Sequence, residues 1–144
     1  MTDVPVLITA APGFEPTYAK PGDAGADLRS TKKVTIVPGG RELVPTGVSI
    51  ALPAGYVGLV HPRSGLALKH GVTVLNSPGT VDAGYRGEIM VTLYNSSNEL
   101  FEIEPGDRIA QLLIQRIEKA DFISVERLPD SARGQAGFGS TGSK

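Results

Sequence analysis

The sequence predicts an all-β sandwich or barrel with one short helix, and three observations carry that class. Eighteen glycines and 11 prolines make up about a fifth of the 144 residues, above average usage yet below the level of a disordered tract, so turns must be frequent. Short apolar stretches containing Val, Ile and Thr lie between those turn signals, the spacing of a many-stranded fold. A chain of this length buries about two thirds of its unfolded surface, enough for one core and not for two.

The elements follow in order. Val4–Ile8 reads as the first strand. Val34–Val37 runs into Pro38-Gly39-Gly40, and Val48–Leu52 into Pro53-Ala54-Gly55, after which Tyr56–Val60 begins. Ser64–His70 reads as the short helix, with Ser64 able to cap it and Gly71 able to end it. Val72–Leu75 stops at Asn76-Ser77-Pro78-Gly79, Ile89–Tyr94 at Asn95-Ser96-Ser97-Asn98, and Leu100–Ile103 just before Pro105-Gly106-Asp107, which assigns Asp107 to a turn. Ile109, Leu112, Leu113, Arg116, Ile117 and Ala120 then fall at amphipathic-helix spacing, so periodicity alone makes this segment helical. Phe122–Val125 is the last expected strand.

Asp130–Lys144 contains Gly134, Gly137, Gly139 and Gly142 and one large apolar side chain, Phe138. Such a tail cannot bury enough to fold by itself; it is a dispensable end or an arm that orders on a ligand. The expected organisation is one β domain over 1–129 and a flexible glycine-rich arm over 130–144.

Charge and composition remove several function classes. The formal net charge is -1 and Lys32-Lys33 is the one adjacent basic pair, which supplies no footprint for a nucleic-acid backbone or an anionic membrane. No apolar run approaches membrane-spanning length. The chain has no Cys, which excludes disulfides and thiolate metal sites and is compatible with a reducing cytosol. The first basic residue is Lys20, so a signal peptide would lack its charged region, and a cytoplasmic location is expected.

Five polar, glycine-containing islands interrupt the apolar pattern with residue types suited to a small phosphorylated ligand. The first is Ala24-Gly25-Ala26-Asp27-Leu28-Arg29-Ser30, and the second Pro62-Arg63-Ser64-Gly65-Leu66-Ala67. Asn76 through Glu88, Gly106 through Leu112, and Arg133 through Gly142 complete the set. In the second, a guanidinium, a hydroxyl and free amides can converge on an anion, though a surface Arg beside an ordinary helix start explains them as well. Asp82 is either a turn-former before Gly84 or a carboxylate able to activate water, and Tyr85 either packs across strands or walls a pocket for a flat polar ligand. Gln111 among apolar neighbours should face a polar partner or a ligand, because an unpartnered buried amide costs about 1–3 kcal/mol. Gly134–Gly139 has the glycine spacing of a P-loop, but Ser140-Thr141 replace its Lys-Ser/Thr and no strand-to-helix context surrounds it. His61 and His70 have no neighbour at metal-ligand spacing and read as structural or surface residues.

In this order, the five islands resemble the five motifs of the trimeric deoxyuridine triphosphate nucleotidohydrolases, the dUTPases, over residues 24–142. Pro62-Arg-Ser-Gly-Leu-Ala67 together with Gly79-Thr-Val-Asp-Ala-Gly-Tyr-Arg-Gly-Glu88 is the most specific part. The resemblance implies a jelly-roll-like β fold, a homotrimer with active sites assembled from different subunits, and an arm that closes over a neighbour's site. It also implies that Arg108–Arg116 is a strand, buried on both faces by the trimer, against the helical periodicity.

The same resemblance implies roles. Asp82 would orient and deprotonate the water and touch the sugar 3'-hydroxyl; Tyr85 would pack on deoxyribose and exclude a 2'-hydroxyl. Asn76 and the backbone around it would read the uracil edge, leaving cytosine's groups unpaired. Arg63, Ser64, Gly65 and Gln111 would hold phosphates, and Asp27 would lie near a water-coordinated Mg2+. Arg133, Ser140 and Thr141 would hold the terminal phosphate while Phe138 stacks on uracil. Water attack on the α-phosphorus would give dUMP and pyrophosphate, limiting uracil incorporation into DNA and supplying dUMP for dTMP synthesis. One departure stands in the arm: Ala136 occupies a position where the family usually has Gly, at a cost of about 1 kcal/mol if that position needs positive φ. The nearest enzyme alternative is dCTP deaminase, against which the Asp82–Tyr85 spacing argues, and the alternative from another class is a nucleotide-binding trimer without hydrolysis.

Overall fold

A computed structural model gives the structure of residues 3–139, 141 and 142. The strands are β1 (Leu7–Ala10), β2 (Ala26–Arg29), β3 (Val34–Ile36), β4 (Arg41–Pro45), β5 (Val48–Ala51) and β6 (Tyr56–His61). The helix α1 (Ser64–His70) precedes β7 (Val72–Val74), β8 (Gly79–Val81), β9 (Met90–Asn95), β10 (Phe101–Ile103) and β11 (Arg108–Arg116). They assemble as a four-stranded sheet β2-β11-β6-β8, a three-stranded sheet β4-β9-β7, and the pairs β1-β5 and β10-β3. Leu28, Ile36, Val44, Val48, Leu93, Ile103 and Ile109 are fully buried and belong to one continuous apolar core contributed by all of these sheets except β1 itself.

The all-β class and the short helix agree with the sequence reading, and β11 is where periodicity misleads. It is hydrogen-bonded on both sides, Gln111 opposite Asp27 of β2 and opposite His61 of β6. Ile109, Ala110 and Leu112 are buried, and Leu113 and Ile114 half-buried, so the strand reads as a nearly continuous apolar run in which a 3.6-residue spacing arises by coincidence. The first strand begins at Leu7, past Pro5, whose missing N–H cannot join a ladder. Phe122–Val125 forms no strand: it pairs with nothing among the described residues, and Phe122 is 93% exposed. The apolar content of that stretch finds no surface to cover within its own chain.

Helix α1 has the expected bounds but a different cap. Arg63, in extended conformation, holds the N-cap position without a side-chain cap bond, so Ser64 is the first helical residue. Gly71 ends the helix in the left-handed conformation (φ 65°), its N–H directed to the carbonyls of Ala67 and Leu66. Asp107 is a turn residue, its Oδ2 accepting from the Glu104 N–H at 2.8 Å.

Asn95, expected in a turn, is the last residue of β9 and has a further duty. Fully buried, it donates from Nδ2 to the carbonyls of Ile36 (2.9 Å) and Glu99 (2.7 Å) and accepts at Oδ1 from Ser97 N–H (3.0 Å) and Oγ–H (2.7 Å). Asn95→Ala leaves the buried Ile36 carbonyl without its partner, breaks the bonds to Ser97 and Glu99, and should cost about 3 kcal/mol. Denaturant unfolding with a lowered midpoint and unchanged slope checks this; a loss under about 1 kcal/mol contradicts it.

The site is positioned by the connection between β7 and β9. These strands pair antiparallel, Val74 opposite Leu93, as a hairpin would, but the intervening chain first adds β8 to the other sheet, Gly79 opposite Val60. Residues 82–88 thus span from one sheet to the other.

Candidate active site

The 82–88 turn is closed by main chain: Tyr85 N–H donates to the Asp82 carbonyl at 3.0 Å. The Asp82 carboxylate is therefore not consumed in making the turn, and the exposed residue lines a cleft of about 210 Å³ with Asn76, Tyr85, Glu88 and the apolar walls Val74 and Ile89. Three predicted site residues meet here. The Tyr85 hydroxyl donates to the Glu88 carbonyl at 2.8 Å, and Arg86 Nη1 donates to the carbonyls of Ala83 (2.6 Å) and Tyr85 (3.2 Å), so the loop is braced by its own side chains.

A second cleft, about 360 Å³, is lined by Asp23, Gly25, Asp27, His61 and Gln111 among others. Asp27, Gln111 and His61 form a row across β2, β11 and β6 because the two ladders place them opposite one another. Gln111 Nε2 donates to the Pro62 carbonyl at 3.2 Å, which supplies the polar partner its sequence context requires. Beneath it, a Cβ on Gly25 would stand 2.9 Å from Gln111 Cδ, so glycine is needed there for close approach. Arg63 Nη1 donates to the Arg108 carbonyl at 3.2 Å, and Arg108 Nη1 lies 3.7 Å from Asp27 Oδ2, whose side chain is 14% exposed. Arg108 thus ties the start of α1, with exposed Ser64 and Gly65, to the acidic end of the row. Sequence reasoning placed Gly25 and Arg108 in islands without giving them a role, missed Asp23 and set His61 aside; the strand pairing that gathers them is not a local signal.

The two clefts share no lining residue, and neither includes any described residue of the arm. Arg133, Phe138 and Thr141 are exposed, Arg133 Nε donating to the Ala136 carbonyl at 2.7 Å, while Ser140 lies outside the described residues. Ala136 does not have positive φ in this conformation. That demand falls on Gly134 (60°), Phe138 (45°), Gly139 (84°) and Gly142 (91°), so the expected penalty at Ala136 does not arise here.

The family model described as dUTPase matches residues 13–142, which take in all five islands. The chain belongs to the dUTPase family. Among curated relatives, a deoxyuridine 5'-triphosphate nucleotidohydrolase of Leifsonia xyli is 57% identical over 141 residues, covering 97% of this chain and 90% of that protein. The one from Bifidobacterium longum is 67% identical over 126 residues, covering 87% and 80%. Among solved structures, the Staphylococcus bacteriophage 80alpha dUTPase with dUpNHpp superposes with a TM-score of 0.87 at 28% identity, covering 96% of this chain and 98% of that one. The sheets described above are accordingly the jelly-roll-like fold of dUTPases. This dUTPase has, within one chain, the Asp82 cleft and a separate row of Asp27, Gln111 and His61.

Among its described residues no three His, Cys, Asp or Glu side chains gather as direct metal ligands. A single, mostly buried carboxylate at a polar cleft does fit Mg2+, which keeps most of its waters and needs few protein oxygens.

Proposed function

We propose that this dUTPase hydrolyses dUTP to dUMP and pyrophosphate as a homotrimer, in sites that combine one subunit's Asp82 cleft with another's phosphate row and the arm of a further copy. The observation that carries the reading is the division of the site: Asn76, Asp82 and Tyr85 line one cleft, Asp27 and Gln111 another, and the arm touches neither. A triphosphate nucleotide needs all three, and the exposed apolar segment around Phe122 offers a surface for assembly.

Asn76 and the surrounding backbone pair with the uracil edge, and the Tyr85 ring stacks against deoxyribose where a 2'-hydroxyl would intrude. Arg63, Ser64, Gly65 and Gln111 hold the phosphate chain; Arg133, Ser140 and Thr141 hold its end; Phe138 covers the base. The Asp82 carboxylate accepts a proton from a water whose oxygen bonds to the α-phosphorus as the bridge to the β-phosphate breaks, releasing pyrophosphate. Asp27 would hold Mg2+ through water, and the metal would supply compensation for negative charge on the phosphates. Arg63 adds to that compensation, fixed before reaction by its bond to the Arg108 carbonyl.

The enzyme would act in the cytoplasm on the nucleotide pool. Absence of cysteine supports this reading, and no helix among the described residues is long and apolar enough to cross a membrane.

Incubation with Mg2+ and dUTP, UTP, dCTP or dTTP, followed for pyrophosphate and ammonia, tests the function. Pyrophosphate from dUTP far ahead of the others is the expected result. Comparable UTP turnover removes the role given to Tyr85, and ammonia from dCTP replaces the reading with a deaminase.

A further inference from the structure

The aromatic ring assigned to sugar discrimination is half-exposed, and something must hold it in one place for it to exclude a single oxygen atom. Its floor is Gly87. A Cβ on this residue would lie 2.6 Å from Tyr85 Cζ and 2.9 Å from Cε1, with the hydroxyl oxygen closer still, so the ring rests directly against the Gly87 backbone. Gly87 does not have positive φ, so the residue is glycine for lack of a side chain and not for backbone freedom. The tether from the Tyr85 hydroxyl to the Glu88 carbonyl, 2.8 Å, fixes the ring's far end over that floor. Three residues before Gly87, Gly84 also lacks positive φ and has nothing within 4 Å of a Cβ. The loop thus contains its own control: one glycine under the ring and one facing open space.

We propose that Gly87 is a positioning residue for sugar specificity, the seat that sets how far the Tyr85 ring reaches into the deoxyribose site. Occupying the seat with a methyl group lifts or rotates the ring and opens room for a 2'-hydroxyl. The inference rests on the dUTP reading above and adds to it the residue on which discrimination depends.

The measurement is the ratio of kcat/KM for dUTP to that for UTP, with melting temperature and mass recorded for each variant. Gly87→Ala should lower the ratio by about tenfold or more, the scale of a lost steric selection, whereas Gly84→Ala leaves it unchanged. Tyr85→Phe, which keeps the ring on its seat and loses the tether, should lose less discrimination than Gly87→Ala. Adding Gly87→Ala to Tyr85→Ala should change nothing further, because no ring is left to displace. If Gly87→Ala fails to fold, the double variant Tyr85→Ala/Gly87→Ala should fold like Tyr85→Ala; failure of both means Gly87 serves something other than the ring and overturns the proposal. A folded Gly87→Ala enzyme with an unaltered ratio, or with both substrates slowed equally, overturns it too. Failure of the dUTP reading itself is separate, since the unaltered protein would then release no pyrophosphate from dUTP.

Discussion

Asp82→Asn is expected to slow dUTP hydrolysis by about 100-fold or more while leaving the fold and nucleotide affinity in place, the usual scale for losing a positioned general base. The substitution is nearly isosteric, and the residue is exposed on the rim of its cleft, so no packing is lost. The turn survives as well, because it is closed by the Asp82 carbonyl and the Tyr85 N–H, which the amide side chain does not disturb. What disappears is the group proposed to take the water's proton. Single-turnover rates with dUTP, set beside dUMP affinity and melting temperature, separate these effects. A folded variant with an unchanged rate returns Asp82 to the plain turn role its sequence context also allows.

Removal of residues 131–144 should abolish most dUTP hydrolysis and hardly touch stability. The apolar core draws on residues up to Ile114, and every regular element ends by Arg116, so the truncation takes nothing from the packed interior. Neither Arg133 nor Phe138 lines either cleft of its own chain, and on the proposed reading it is bound nucleotide that orders them. Ordering uses part of the binding free energy, and it is repaid most fully when a terminal phosphate is present for Arg133. The truncated protein should therefore keep its mass as an oligomer and its melting temperature, lose turnover severely, and bind dUMP only slightly more weakly. Activity that survives truncation would remove Arg133, Phe138, Ser140 and Thr141 from the site.

The fold class was legible because turn chemistry is local. Pro-Gly, Asn-Ser and Gly-Gly clusters interrupt the chain wherever it reverses, and the helix over Ser64–His70 is bounded by a glycine whose left-handed conformation the structure retains. The candidate site residues could be named for a similar reason: Asp82, Tyr85, Arg63 and Gln111 sit in short motifs whose order along the chain matches the family, a property that needs no knowledge of where the motifs end up. Polar strands were the harder case. Arg41–Pro45 is largely exposed and lacks an apolar run, yet its pairing with Met90–Asn95 makes it a strand.

Sequence by itself thus determined the turn-rich β class and the family, and it supplied the residue types proposed to meet the nucleotide, since each is written in neighbouring residues. Tertiary structure alone decided that Arg108–Arg116 is extended, because only pairing on both edges and burial between layers overrides a helical spacing. It alone left Phe122–Val125 without a partner strand among the described residues, aligned His61 and Asp27 on either side of Gln111, set Arg108 against Asp27, and separated the candidate site residues into two clefts. The role of Gly87 is of the same kind: a missing side chain acquires meaning only when the ring that fills its space has been placed.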